Sequence, residues 1–260
     1  MPTMKKPSII LLAGKWDTTA IVYNFLQQHF HIEKVILEDG VPKKEFLKKR
    51  ISKLGWLTVG GQVFFQLLVA KPLRMLSKNR IAEIIKGYSL DQTEIPQEKI
   101  LSVSSVNGAE CLQALQQLSP AVVVVHGTRI IAKKILQGVS SPFVNIHAGI
   151  TPRYRGSHGA YWALANNDKE NCGVTVHFVD AGIDTGNIIA QEKIPFTKRD
   201  NFATYSYLQL AVGLQLLQKS LAALLSGEKI EGVKNNMDSA LWHHPTLTGY
   251  LIKRLTRKVK

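Results

Sequence analysis

Cysteine is scarce in this sequence, which has only Cys111 and Cys172, far apart along the chain. The two do not form a metal-ligand spacing, and nothing supports a disulfide between them. The adjacent His243 and His244 do not form a metal site either, because neighbouring side chains on a helix point in different directions. We therefore expect two core thiols in a reducing cytoplasm and no bound metal.

Long hydrophobic runs are also few. The first of them, Ile9–Ala13, is too short for a secretion signal and is followed directly by Lys15. The longest uncharged stretch, Leu54–Ala70, has seventeen residues, and glycine and glutamine residues dilute it. Seventeen is the lower edge of a membrane-spanning length. We therefore expect a chain that is neither secreted nor membrane-spanning.

Acidic residues are outnumbered, and the excess of positive charge is local. The formal net charge is +14, and Lys43–Lys86 contributes +9 of it, with eleven lysines and arginines against two glutamates. Lys253–Lys260 contributes the other +5, with five basic residues and no acidic one. Such patches attract phosphates on nucleic acid, on anionic lipid or on a phosphorylated substrate, and the charge pattern does not decide between them.

The basic segment Lys43–Lys86 is predicted to be a helical insert. We predict amphipathic helices, with a break at Gly60 and Gly61. The sequence leaves open whether these helices lie on an anionic membrane surface, pack on the domain itself or contact a partner subunit.

Alternating strands and helices indicate the fold. Apolar residues make up 45% of the chain, enough for one sizeable core, and the clearest central strand is Ala121–Gly127. The alternation predicts an α/β fold, with a Rossmann-like, mostly parallel sheet flanked by helices. We assign residues 1–226 to the main domain and residues 227–260 to a C-terminal extension with a basic tail. The turn Ala13–Asp17 holds a single glycine, which speaks against a dinucleotide site.

Three polar residues stand where an open parallel sheet binds ligands. Asn145 and His147 are two residues apart at a strand end, so their side chains emerge on the same face. Asp184 lies in a glycine-rich loop between two later strands. An amide and an imidazolium can donate hydrogen bonds to a developing oxyanion. A nearby carboxylate would raise the pKa of the histidine and orient a water for proton transfer.

The stretch Phe143–Phe196 resembles the folate-dependent formyltransferase family. The family pattern is an Asn-x-His pair, then a Pro-x-x-x-Gly loop, then an Asp-x-Gly-x-Asp-x-Gly loop. Here these are Asn145–His147, Pro152–Gly156 and Asp180–Gly186. The resemblance implies that Asn145, His147 and Asp184 are catalytic, and that the enzyme is a folate-dependent N-formyltransferase.

The resemblance also implies a donor and a place for it. The donor would be 10-formyltetrahydrofolate, with no metal, and its pterin would lie against two loops. The implied donor-binding residues are Gly127, Thr128, Arg129, Ile130, Ile131, Val179, Asp180, Ala181 and Gly182. We name four substrate-binding candidates in the neighbouring loop, namely Arg153, Tyr154, Arg155 and His158. Loop arginines are often merely solvated, and His158 is as well placed to cap the helix that follows.

The acceptor is approached by elimination. Methionyl-tRNA formyltransferases carry a C-terminal barrel, whereas sixty residues follow Asp200 here, so tRNA is an unlikely partner although the basic patches favour it mildly. The purine-pathway enzyme has a glycine-rich turn after its first strand, which is missing here. A small amino sugar, carried on a nucleotide or a lipid, is the best remaining acceptor. We expect a cytoplasmic localisation. Peripheral attachment to the inner membrane face stays open, and so does a homodimer.

Other functions stay open. Besides methionyl-tRNA and glycinamide ribonucleotide formylation, water in place of the amine would make the protein a formyltetrahydrofolate hydrolase. A protein of another class, a folate-binding or membrane-associated scaffold without turnover, would use the insert as its working surface.

Overall fold

The computed structural model describes residues 7–260. The strands are β1 (Ser8–Gly14), β2 (His31–Glu38), β3 (Ile100–Val103), β4 (Val122–His126), β5 (Phe143–His147), β6 (Arg155–Gly156), β7 (Gly173–Phe178), β8 (Ile188–Lys193) and β9 (Leu241–Trp242). The α-helices are α1 (Asp17–Gln27), α2 (Lys43–Leu54), α3 (Trp56–Phe65), α4 (Lys71–Leu76), α5 (Lys78–Gly87), α6 (Ala109–Leu118), α7 (Lys133–Gln137), α8 (Gly159–Ala165), α9 (Phe202–Leu225) and α10 (Leu247–Arg257).

Seven of the strands form one sheet in the order β3-β2-β1-β4-β5-β7-β8. The first five are parallel, and β7 and β8 are antiparallel to their neighbours. Strands β1 and β4 are buried along nearly their whole length, which accounts for their continuous apolar sequences. The predicted α/β fold with a mostly parallel sheet is confirmed.

Helix α9 is the central support of the sheet. Asn201 begins it with a capping box, in which its side chain accepts from the Ala203 amide and Thr204 Oγ1 accepts from the Asn201 amide. The helix packs on β5, β7 and β8. Among the described residues it is the one helix long and apolar enough to cross a bilayer. Half of its most apolar stretch is buried inside the fold. A core helix has these properties as well.

The segment between β2 and β3 is helical, but the predicted break is wrong. Helix α3 runs through Gly60 and Gly61 without interruption, and the break lies at Gly55, whose φ of +81° is left-handed. A π-helical stretch, Gln66–Ala70, joins α3 to α4 and makes one long rod. Glycine in a helix interior lowers stability without breaking the helix when the neighbouring turns are anchored, as they are here.

A buried ion pair anchors the insert to the main body. Arg80 Nε lies 2.9 Å from Oδ1 of Asp200, and Nη2 lies 3.1 Å from Oδ2. The Asp200 side chain is fully buried, and its pKa is lowered because hydrogen bonds from Arg80 and Thr197 outweigh the effect of burial. Asn201 Nδ2 also donates to Ser77 Oγ. The start of α9 and the end of the insert are thus held together.

The C-terminal residues return to the main body. Strand β9 pairs with β6, α10 packs on α3 and α8, and the Phe202 amide donates to the Lys260 carbonyl. Cys111 and Cys172 are both free and buried.

Glycine 213 sets the distance between α9 and the strand that carries Asn145. A Cβ at this position would lie 2.6 Å from Ile146 Cγ2, so Gly213→Ala should destabilise the fold by about 1–3 kcal/mol through overpacking. Gly60 offers a matched control, because it is also inside a helix and has no neighbour within 4 Å of an added Cβ. Gly60→Ala should stabilise by about 0.5–1 kcal/mol. Urea unfolding of both variants measures this, and a destabilisation of equal size in both would contradict the packing explanation.

Candidate active site

The cleft lies at the carboxyl ends of the central strands. Strand β1 has β2 on one side and β4 on the other, so the strand order reverses between β1 and β4, where open α/β sheets bind ligands. The cleft at this edge has a volume of about 490 Å³ and includes Asn145, His147 and Asp184 in its lining. The three residues chosen from the sequence are therefore brought together in one cavity.

His147 carries hydrogen on the ring nitrogen that faces the protein. Its Nε2 lies 2.7 Å from the Tyr154 carbonyl, which can only accept, so Nε2 is the donor. Its Nδ1 lies 3.3 Å from Oδ2 of Asp184. Burial lowers the pKa of His147, but the charge and hydrogen bond of Asp184 outweigh this, and the net pKa is raised above the ordinary value of 6.5. An imidazolium that donates from both nitrogens satisfies these contacts.

Asp184 is the matching anion. Its Oδ2 accepts a hydrogen bond of 2.9 Å from the Gly156 amide. Burial alone would raise the pKa of the carboxyl, but the charge and hydrogen bond of His147 and the Gly156 amide lower it to about 2. The residue has a left-handed φ of +51°, which an aspartate tolerates better than most side chains. The carboxylate is therefore ionised at neutral pH and faces the cleft.

His177, which the sequence reasoning missed, fixes the amide of Asn145. The two residues are opposite one another in the register of β5 and β7. His177 Nδ1 lies 2.7 Å from the Phe178 carbonyl and therefore carries hydrogen. Burial lowers the pKa of His177, so the ring is neutral and its Nε2 accepts from Asn145 Nδ2 at 3.1 Å. The amide then has one N–H left for a ligand. A histidine in the predicted strand three residues before the Asp180–Gly186 loop was the available signal.

Buried Glu38 shapes the first of the two loops proposed for the donor. Its Oε2 accepts from the Arg129 amide at 3.0 Å, and its Oε1 accepts from the Val106 amide at 2.8 Å. Trp16 Nε1 donates to the Gly127 carbonyl at 2.7 Å, and the φ of Gly127 is +63°. A Cβ at Gly127 would lie 2.6 Å from Trp16 Nε1, so only glycine fits there.

Eight of the nine implied donor-binding residues line the cleft, and Ala181 lies in the same loop without lining it. In that loop, Asp180 Oδ1 accepts from the Gly182 amide and from Thr185 Oγ1. These two hydrogen bonds fix the shape of the loop where it lines the cleft. Leu241, Trp242 and His243 from the C-terminal extension also line the cleft, and the sequence did not indicate them.

The four substrate-binding candidates are placed differently from our expectation. None of them lines the cleft with the catalytic candidates. Arg153 and the Tyr154 hydroxyl contact Asp168 at 3.3 and 2.8 Å, and Arg155 donates to Ser239 Oγ and to the Ile183 carbonyl, both at 2.9 Å. These side chains hold the walls of the site together because their polar atoms are already used by neighbouring segments.

His158 lines a second cavity of about 540 Å³. Trp16 lines both cavities and so stands between them. The ring of His158 lies 2.8 Å from His244 Nδ1. Burial lowers the pKa of His158 to about 3 and that of His244 to about 4. Within residues 7–260 no group of three or more potential ligands could hold a metal ion.

Comparison with known proteins places these features in a family. A model of the formyl transferase family matches residues 73–219, more than half of the chain. Methionyl-tRNA formyltransferase of Halothermothrix orenii is 34% identical over 149 residues, 55% of this chain and 47% of that protein. The chain thus spans about half the length of the curated relatives it matches.

Solved structures share the fold. Phosphoribosylglycinamide formyltransferase from Streptococcus pneumoniae TIGR4 is similar over 85% of this chain and 99% of that chain, with a TM-score of 0.53 and 18% identity. A sugar 3N-formyl transferase, determined in the presence of dTDP and 5-N-formyl-THF, is similar over 92% of this chain and 70% of that chain, with a TM-score of 0.54 and 17% identity. At these identities the likeness establishes the fold alone.

The ion pair makes a prediction for the titration of His147. In the native protein its ring should titrate above pH 6.5, and Asp184→Asn should move the pKa below 6.5, because burial, the largest effect on this ring, is then opposed only by the hydrogen bond to the Tyr154 carbonyl. NMR of ring-labelled histidine measures both values. Asp39→Asn serves as the control, since Asp39 is an exposed carboxylate paired with Lys15. An unchanged His147 pKa in Asp184→Asn would contradict the geometry.

A second prediction concerns stability in acid. His126, His158 and His244 have a folded-state pKa of about 4, 3 and 4, below the ordinary 6.5, so the unfolded chain binds more protons. Their contribution should be complete above pH 6.5 and be lost as the pH falls from 6.5 toward 4. Urea unfolding at four pH values should show this loss, and His158→Asn should flatten it. An equal dependence of the free energy of unfolding on pH in the variant and the native protein would contradict the role of His158.

Proposed function

The chain belongs to the formyl transferase family, and from this premise we propose that it is an enzyme that transfers a formyl group from 10-formyltetrahydrofolate to a primary amine. The observation that carries the proposal is the Asn145–His147–Asp184 cluster in the cleft. One N–H of Asn145 is free of His177, the pKa of His147 is raised and that of Asp184 is lowered. These are the charge states that acyl transfer to an amine needs.

Two loops supply most of the surface proposed for the donor. Residues of Gly127–Ile131 and Val179–Gly182 line the cavity, and the absence of a side chain at Gly127 lets Trp16 pack against the first loop. In this proposal these loops hold the pterin, and Ala181 keeps its place in the second loop without facing the cavity. When bound, the donor supplies a formyl carbon attached to a folate nitrogen that departs.

Each member of the cluster has a separate task in the proposed reaction. The amine nitrogen forms a bond to the formyl carbon and the bond from that carbon to the folate nitrogen breaks. The free N–H of Asn145 donates a hydrogen bond to the carbonyl oxygen as it gains negative charge, and the positive charge of the His147 imidazolium stabilises the same oxygen. A water oriented by Asp184 takes the proton that the amine loses, and a proton passes to the departing folate nitrogen. A carboxyl with a pKa of about 2 is better suited to orient that water than to keep the proton.

The acceptor we favour is an amino sugar carried on a phosphate-containing group, either nucleotide or lipid. The second cavity supports this choice, because it adjoins Trp16 and has Lys15, Lys71 and Arg74 in its lining. Arg74 and Lys15 pair with Asp17 and Asp39 at 2.6 and 2.7 Å, and Lys71 is exposed. Arginine and lysine at a cavity mouth attract an anionic acceptor.

A second acceptor is methionyl-tRNA. The relative from Halothermothrix orenii carries that activity in its name, and the net charge of +14 suits a nucleic acid. Both observations weaken our expectation that tRNA is not a partner of this protein. Glycinamide ribonucleotide formylation, hydrolysis of the donor and a non-catalytic scaffold are the remaining alternatives. We retain a cytoplasmic location, and residues 1–226 as the catalytic domain, as parts of the proposal.

Turnover of the donor tests the proposal. Release of tetrahydrofolate should depend on one amine in a panel of nucleotide-linked amino sugars, glycinamide ribonucleotide and methionyl-tRNA. His147→Asn and Asn145→Ala should each lower kcat by about 10²–10³-fold, since the first removes the positive charge beside the oxyanion and the second removes a donor to it. Glu110→Gln on α6, an exposed carboxylate outside the cleft, should behave like the native protein.

Three results would decide against parts of this account. Equal release without any amine would mean a hydrolase, and release that survives His147→Asn would remove the histidine from the mechanism. Binding of the donor without release for every acceptor of the panel would favour the scaffold.

A further inference from the structure

Exposed apolar side chains are concentrated in one region of the molecule. Of the seventeen exposed large apolar side chains among the described residues, fourteen lie in two stretches, 46–76 and 251–255. Trp56 and Leu57 are 70% and 69% exposed, and Leu76 is 85% exposed. Single exposed apolar residues need no explanation, but a contiguous group of this size marks an interaction site.

The long rod Trp56–Leu76 carries an apolar face that points away from the protein. Its inner face is buried, through Val59, Gln62 and Phe65. Its outer residues recur at helical spacing on the other side of the rod, at Trp56, Leu57, Gly60, Val63, Phe64, Leu67 and Leu68. Nothing lies within 4 Å of the position of a Cβ at Gly60. A surface helix usually has polar residues on its outer face. The rod instead has an apolar stripe facing solvent in addition to its buried inner face.

One neighbouring helix extends this face, and another packs against the inner side of the rod. Phe46 and Leu47 of α2 line one groove of about 330 Å³ together with Val63 and Leu67 of the rod. Helix α10 packs on α3 through the rings of Tyr250 and Phe65, whose centroids are 5.2 Å apart. Opposite the buried Tyr250, α10 exposes Leu251, Ile252 and Leu255. These three side chains point away from the rod, so we call only the outer residues of α2 and the rod the apolar face.

Positive charge surrounds the apolar face. Residues 43–86 carry a net +9 and residues 253–260 carry +5, so all of the net charge of +14 lies in the segments that form the face or adjoin it. The exposed basic residues of α2 include Lys44, Lys48, Lys49 and Lys53, whereas Lys71 and Arg74 of the rod line the second cavity. A second copy of this chain would present the same charges, so the repulsion argues against self-association here. An anionic surface with an apolar interior is complementary to both features.

We propose that the apolar face and its basic surround form a docking surface for an anionic lipid bilayer. Helix α2 and the rod would lie in the plane of the bilayer, with apolar side chains below the headgroups and lysines at headgroup phosphates. The proposal goes beyond formyl transfer and stands without it, because it uses no residue of the cleft.

Vesicle sedimentation with the full-length protein tests the proposal. Binding should rise with the fraction of phosphatidylglycerol in phosphatidylcholine vesicles and fall as salt is raised. The double change Trp56→Ser with Phe64→Ser should lower the partition coefficient by about tenfold or more. Lys48→Gln with Lys53→Gln should lower it several-fold and flatten the salt dependence. Val233→Ser is the matched control, because Val233 is 66% exposed and lies outside the face.

Two further readouts complete the test. Native-like circular dichroism and donor turnover in the variants would show that lost binding is not lost folding. Trp56 emission, taken as the difference from Trp56→Phe, should shift to the blue on anionic vesicles. Equal binding to neutral and anionic vesicles, or variants that bind like the native protein, would overturn the proposal. So would a dimer in sedimentation velocity that the Trp56 and Phe64 changes dissolve, with no vesicle binding.

Discussion

The carboxylate of Asp184 connects three segments that form the cleft. It lies 3.3 Å from His147 Nδ1 at the end of β5, and it accepts from the Gly156 amide in β6. Its own loop is held by Asp180. Since a buried carboxylate is costly unless hydrogen bonds and a cation compensate it, these contacts must form together. The same contacts set the charge states of the cluster.

The sheet explains how distant residues reach this carboxylate. Parallel strands bring the ends of β1, β4 and β5 to one edge, and the antiparallel β7 brings His177 opposite Asn145. The insert then closes the other side, because Gln66, Ala70 and Lys71 line the second cavity next to Trp16. A membrane-docked insert would therefore place a lipid-linked acceptor close to the cleft, which joins the two proposals without making either depend on the other.

Much of the fold could be predicted from the sequence, because buried parallel strands are continuous apolar runs. Asn145, His147 and Asp184 meet in one cavity because strand-end position and glycine loops are local features. The break at Gly55 was missed because an anchored helix tolerates Gly60 and Gly61. His177, Glu38 and the C-terminal residues of the cleft were missed because their contacts depend on cross-strand register and long-range packing. Arg153 and Arg155 looked free in the sequence, and only the fold supplies Asp168 and Ser239 as their partners.

The central claim is that this chain moves a formyl carbon from folate to an amine, and isotope tracing tests it most directly. The protein would be incubated with 10-[¹³C]formyltetrahydrofolate and the amine that supports turnover, and the carbon followed by NMR. The account predicts that the label leaves the folate and appears as a formamide on the amine, in step with tetrahydrofolate. Label that appears as formate, or that stays on the folate while the amine is unchanged, would contradict it.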